Sequence, residues 1–95
     1  MIELNNTSNE VMDILQEECA EVIQAVSKIR RFGADNCKHG IGQTNREHLE
    51  EEMGDMLAMI DIMLEMGVIS YGNLEIAKLA KIEKLKKWSK IYEQD

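Results

Sequence analysis

The chain has 95 residues, a formal net charge of −7, 44% hydrophobic residues, seven methionines, four aromatics and no proline. That balance excludes a sheet-rich fold and predicts one all-α domain over residues 1–95, with a core small enough to need a partner. Residues 1–65 carry 14 acids against 5 bases, whereas 66–95 carry 6 lysines against 4 acids. An acidic body excludes duplex nucleic acid as the main partner and leaves room for a phosphorylated small molecule bound through metal ions.

The first residues, Met1-Ile2-Glu3-Leu4, lack the basic start and long apolar stretch of a signal peptide. No apolar run approaches membrane-spanning length. Cys19 and Cys37 have neither CxxC spacing nor a secretory context, so they read as free thiols in a reducing compartment. The expectation is a soluble cytoplasmic protein without a membrane partner.

In chain order, Thr7-Ser8-Asn9-Glu10 fits a capping box with Thr7 as N-cap. It predicts a first helix from there to about Arg31, stopped by Gly33. Residues 33–43 hold three glycines and no periodicity, so they form a loop. Thr44-Asn45-Arg46-Glu47 is a second capping box, opening a helix that reaches Met66 and stops at Gly67. A turn through Ser70-Tyr71-Gly72-Asn73 leads to a third helix, from Leu74 to Tyr92. The middle helix is apolar nearly all round between Met53 and Met66, interrupted only by Asp55, Asp61 and Glu65. Such a helix is buried on several sides, and three helices of one short chain cannot surround it. A helical bundle of at least three helices per chain, completed by oligomerisation as a dimer or a dimer of dimers, follows.

Two acidic pairs enter the apolar stripes. Glu18 and Glu21 are spaced i, i+3 on the first helix, and Glu52 and Asp55 are spaced the same way on the second. Each pair therefore lies on one helix face, one turn apart. Stepping 11, 15, 18, 22, 25, 29 along the first helix lands on Glu18 in mid-stripe, with Glu21 at its edge. Buried charge of one sign is costly unless neutralised. A hard divalent cation, Mg2+ or Mn2+, neutralises carboxylates economically through oxygen ligands.

These residues resemble a known family. Glu17-Glu18-x-x-Glu21, followed by Glu52-x-Gly54-Asp55, is similar to the EExxE…ExxD signature of MazG-like nucleotide pyrophosphohydrolases, within the all-α NTP pyrophosphatase superfamily. The resemblance covers about residues 10 to 90. It includes the Ser27-Lys28-Ile29-Arg30-Arg31-Phe32-Gly33 exit of the first helix and the Thr44-Asn45-Arg46-Glu47 entry of the second, which look like small phage-type and bacterial members. Thirty residues separate Glu21 from Glu52, slightly more than the usual interval, and Leu79-Ala80-Lys81 stands where larger members carry Asn-x-Lys.

The resemblance implies hydrolysis of a nucleoside triphosphate between its α and β phosphates, giving a monophosphate and pyrophosphate. It implies Glu18, Glu21, Glu52 and Asp55 as metal ligands and catalytic groups, with Mg2+ or alternatively Mn2+ as cofactor. Lys81, Lys78 and Lys28 are candidates for the phosphates, and Asn9, Asp13 and Gln16 for the base. Likeness to phage-type members leans the substrate towards a guanine deoxynucleotide. The loop from Gly33 to Gln43 is expected to close the site. Glu17 lies about 100° round the helix from Glu18 and reads as an outer ligand or a solvated acid.

Other readings stay open at this stage. His48, one turn before Glu52, reads as a surface histidine or an outer contact to the site, and His39 as solvent-facing in the loop. Asp61 reads as a structural pairing partner, and Cys19 as a small core or boundary residue. A di-iron carboxylate bundle would need Glu-x-x-His, and His48-Leu49-Glu50-Glu51 reverses that order. The rival from another class is a non-enzymatic helical oligomer, an adaptor or regulator whose acids meet basic partner residues.

Overall fold

A computed structural model describes residues 3–37 and 40–93. Three α-helices form among them: α1 (Asn6–Phe32), α2 (Asn45–Glu65) and α3 (Tyr71–Trp88). Among the described residues there is no strand, only an isolated bridge between Cys37 and Thr44. The fold is all-α, as composition requires.

The helix ends follow from their caps, with two corrections to the sequence reading. α1 is capped by Asn5 rather than Thr7. The Asn5 side chain accepts from the Ser8 backbone N–H at 2.9 Å, and the Ser8 hydroxyl accepts from the Asn5 N–H at 2.7 Å. Ser8 is the only one of the nearby polar residues that becomes buried, at 1% exposure, so its reciprocal cap decides where the helix starts. α1 ends as expected at Gly33, whose φ of +92° suits glycine and whose N–H donates to the Ile29 carbonyl at 2.8 Å. α2 opens with the predicted Thr44–Glu47 capping box, each donor satisfied at 3.0–3.1 Å.

The second correction concerns α3. Ser70 caps it by accepting from the Asn73 N–H at 3.4 Å, so Tyr71–Asn73 form its first turn rather than a free connection. The helix also stops at Trp88, short of Tyr92. There the Ser89 hydroxyl donates to the Leu85 carbonyl at 2.7 Å and accepts from the Ile91 N–H at 3.3 Å, diverting the chain from the helical path.

α2 folds back along α1, and the loop between them locks this pairing. Asn45 and Arg46 N–H groups donate to the carbonyls of Asn36 and Ala34 at 3.0 and 2.8 Å. The Asn45 side chain donates to the Gly33 carbonyl at 3.0 Å, and Arg46 pairs with Asp35 at 3.1 Å. The apolar core sits at the far end of the hairpin. Val11, Met63 and Val68 are buried there, with Met12, Leu15, Met59, Met66 and Ile69 packed against them. Nearer the loop, Ala25 is 1% exposed, a small side chain at the seam.

α3 barely touches this hairpin and buries no residue. The Cα radius of gyration is 16.7 Å, against about 12 Å for a compact domain of this length. The accessible surface is 7609 Å², about 2,000 Å² more than a compact monomer of this mass exposes. The middle helix was expected to be covered on several sides. Within one chain it is covered on one, and Met53, Leu57 and Ile62 are exposed. No helix among the described residues is long and apolar enough to cross a membrane.

Candidate functional site

The stripe spacing on α1 and α2 carries acids as well as hydrocarbons to the helix seam. Glu18 is half-buried, Glu52 is 9% exposed and Asp55 is exposed. One carboxylate oxygen from each of the three lies within 4.8 Å of the others. Three of the four expected ligands therefore converge. Glu21 is exposed and stands outside that group, and Glu17 is exposed beside it.

Crowding shows in the electrostatics. Burial first, then the facing carboxylates of Asp55 and Glu52, then those of Glu21 and Glu17, push the Glu18 carboxyl above its usual range. The donor set fits a hard cation. Three carboxylate oxygens drawn this close, with no cationic side chain among them, are the kind of donor set that would hold a hard divalent ion. Each of these donors is a carboxylate oxygen, which suits Mg2+ or Mn2+ over softer metals.

His48 stands against the group, its Nε2 3.8 Å from Glu52 Oε1 and its side chain about three-quarters covered. Of its two sequence readings, contact with the site is the one the geometry supports. His39 lies outside the described residues. Asp61 is exposed and makes no ion pair among the described residues. Cys19 is a half-buried free thiol, as expected, and the Cys37 thiol donates to the Gly42 carbonyl at 3.3 Å.

The lysine candidates separate. Lys28 lines a cleft of 630 Å³ on the loop side of the carboxylates. Lys78 is held by Glu75 at 2.7 Å, which keeps its ammonium charged above its ordinary range, and Lys81 is exposed. Both sit on α3, away from the face where α1 and α2 meet. Asn9, Asp13 and Gln16 are exposed on the N-terminal half of α1 and line no part of that cleft.

The loop expected to close the site, Gly33 to Gln43, forms part of a cleft whose full lining was not named from sequence. Its walls include Phe32, Asn36, Gln43 and Asn45, one exposed aromatic and three amides spread across a helix end, a loop and a helix start. No spacing rule links them, and only folding of the loop brings them together. Gly54, between Glu52 and Asp55, has open space where a side chain would begin, with no atom within 4 Å of a Cβ built there.

Comparison with curated proteins finds no significant match, and neither does comparison with solved structures. The model of the MazG nucleotide pyrophosphohydrolase domain matches residues 6–88. That span runs from the first residue of α1 to the last of α3 and contains all four acids of the two pairs. The chain thus belongs to the MazG nucleotide pyrophosphohydrolase domain family.

Proposed function

We propose that this protein is a divalent-metal-dependent nucleoside triphosphate pyrophosphohydrolase, acting on (d)NTPs to give the monophosphate and pyrophosphate. The observation that carries the reading is the convergence of Glu18 with Glu52 and Asp55 from two helices of a MazG-family chain. Glu18, Glu52 and Asp55 are the residues that would hold Mg2+ or Mn2+. Such an ion, when bound, lowers the pKa of a coordinated water and offsets charge on the polyphosphate.

The chain's own groups supply position. Three carboxylates on two rigid helices fix where the ion and the reacting phosphates sit, which is most of what phosphoryl chemistry asks of a protein. His48 steadies Glu52 from outside the group, the kind of contact that orients a metal-binding carboxylate. Glu21 is exposed one turn beyond Glu18 and is the carboxylate left to accept the proton that the attacking water gives up. In the overall change, water adds to the α-phosphorus and the bond to the bridging oxygen breaks, releasing pyrophosphate. Lys28 offers its positive charge from the cleft side.

We also infer that the working form contains at least two copies of the chain. A stable interface takes about 800 Å² from each partner, and the surplus surface of this chain exceeds that. Ile76, Leu79 and Trp88 on α3 are exposed, as are Met53 and Leu57 on α2, which gives a second copy apolar surface to cover. A part for Lys78 and Lys81 in balancing triphosphate charge belongs to that assembly.

The deciding experiment is product analysis with a panel of (d)NTPs in Mg2+, in Mn2+ and in EDTA. Metal-dependent release of pyrophosphate with a monophosphate is the expected result. Release of single phosphate would move the cleavage to another bond. No turnover together with no metal-induced rise in melting temperature would hand the chain to the adaptor reading. Light scattering after gel filtration reports the copy number.

A further inference from the structure

We infer that the cleft between the α1–α2 loop and the carboxylates is the nucleobase subsite, and that it selects a base presenting two adjacent N–H groups on its pairing edge, as guanine does. The inference rests on the hydrolase reading above and names where its substrate's nucleoside lies.

Position comes first. His48 lines the cleft and also stands 3.8 Å from Glu52, so the cleft opens directly beside the group that would hold the reacting phosphates. Asn45, also in its lining, precedes Glu52 by seven residues, about 10.5 Å along a helix. That is the scale on which a nucleoside extends from its α-phosphate. The volume of 630 Å³ falls within the about 300–1,000 Å³ of small-molecule pockets.

The lining has the chemistry of base recognition. The Phe32 ring is 56% exposed, with the Arg31 guanidinium 5.0 Å from its centroid, leaving aromatic surface available for stacking. Ile41 adds apolar cover. Three amides supply hydrogen bonding, and two of them are already oriented by the protein. The Gln43 amide nitrogen donates to Glu51 Oε2 at 2.6 Å, and the Asn45 amide nitrogen donates to the Gly33 carbonyl at 3.0 Å. Those bonds fix which end of each amide is nitrogen. The two amide oxygens have no donor among the described residues and are left as acceptors. Two acceptors, each held by a second contact, suit a base that presents adjacent N–H groups. Guanine presents two nitrogens of that kind, whereas thymine and uracil present one. Asn9, Asp13 and Gln16, exposed on the N-terminal half of α1, line no part of this cleft.

The test compares wild type with Phe32→Leu and Gln43→Ala, each first checked for unchanged helicity. Readouts are kcat and KM for the four dNTPs in Mg2+, and calorimetric binding of the four dNMPs without metal. The expected result is a rise in KM for dGTP of about ten-fold per variant, the size of a lost stacking contact. kcat should move less, and the preference for dGTP should flatten. Binding of dGMP should weaken in parallel. Unchanged KM, base preference and dNMP binding in both variants would overturn the inference, most directly if Asp13→Ala or Gln16→Ala shifts the preference instead. A wild type that prefers any base other than guanine overturns the donor-edge selection. If wild type binds dGMP in a Phe32-dependent way yet releases no pyrophosphate from any dNTP, the subsite stands and the hydrolase reading fails.

Discussion

Glu18 and Glu52, on different helices and 34 positions apart, bring carboxylate oxygens within 4.8 Å of one another where α1 and α2 meet. Without a cation this contact is repulsive. With one it becomes a clamp between the helices. Glu18→Gln removes one charge while keeping the shape. The metal-free variant should melt no lower than wild type, and the rise in melting temperature on adding Mg2+ or Mn2+ should largely vanish. A site filled at a hundred times its Kd stabilises by about 2.7 kcal/mol, several degrees in a domain of this size, so a calorimetric scan resolves the difference. A metal-induced rise as large in Glu18→Gln as in wild type would remove Glu18 from the ligand set.

Turnover separates the acids by position. Asp55→Ala should lower kcat/KM by about a hundred-fold or more, the usual consequence of removing a group that stabilises charge in the reacting complex. Glu21→Ala should also suppress turnover, but with metal-induced stabilisation retained, because Glu21 stands outside the converging group. Steady-state kinetics beside a thermal scan distinguishes the two. Full activity in either variant would sink the site assignment.

His48 reaches the three converging carboxylates through Glu52. His48→Ala should weaken metal binding about ten- to hundred-fold without abolishing it, as expected of a group that orients a ligand rather than supplying one. Titration of the metal by calorimetry is the direct measure. His48→Gln, which keeps a hydrogen-bonding side chain there, should recover part of the loss.

The hairpin lock is pH-dependent in a defined direction. The Arg46 guanidinium, by hydrogen bond and by charge, holds the Asp35 carboxyl below its usual range. The folded state then binds that proton less tightly than the unfolded chain, whose aspartates titrate near about 3.9. The pair's contribution is complete above that value and is lost as pH falls through the lower folded one. Both side chains are exposed, so the effect is small and weakens with salt. Denaturant melts of wild type and Asp35→Asn should differ at neutral pH and coincide in acid.

Much of this arrangement was legible in the residues. The i, i+3 acidic pairs located the metal-binding candidates because helical periodicity turns sequence spacing into position on a face, and Thr44 with Glu47 marked the start of α2. The spacing rule does not by itself place Glu21, which stands outside the converging group. It fixes which acids share a helix face, but whether both reach the seam depends on how the partner helix lies. Cap choice went astray at α1 because Thr7 and Asn5 each offer a suitable oxygen, and burial of Ser8 favours the second. The cleft around Phe32, Gln43 and Asn45 gave no signal, since it is assembled by hydrogen bonds of an aperiodic loop. The packing of α3 cannot be derived from one chain, in which Ile76, Leu79 and Trp88 stay exposed.

Gly54 carries one more consequence. A glycine inside a helix costs about 1 kcal/mol relative to alanine, and among the described residues no neighbouring side chain or element would collide with a methyl group at that position. The isolated fold would therefore be steadier with Gly54→Ala. If that variant melts higher and works more slowly, the bare stretch of backbone between the Glu52 and Asp55 carboxylates is clearance for an approaching molecule, and its cost in rigidity is a requirement of the reaction rather than of the architecture.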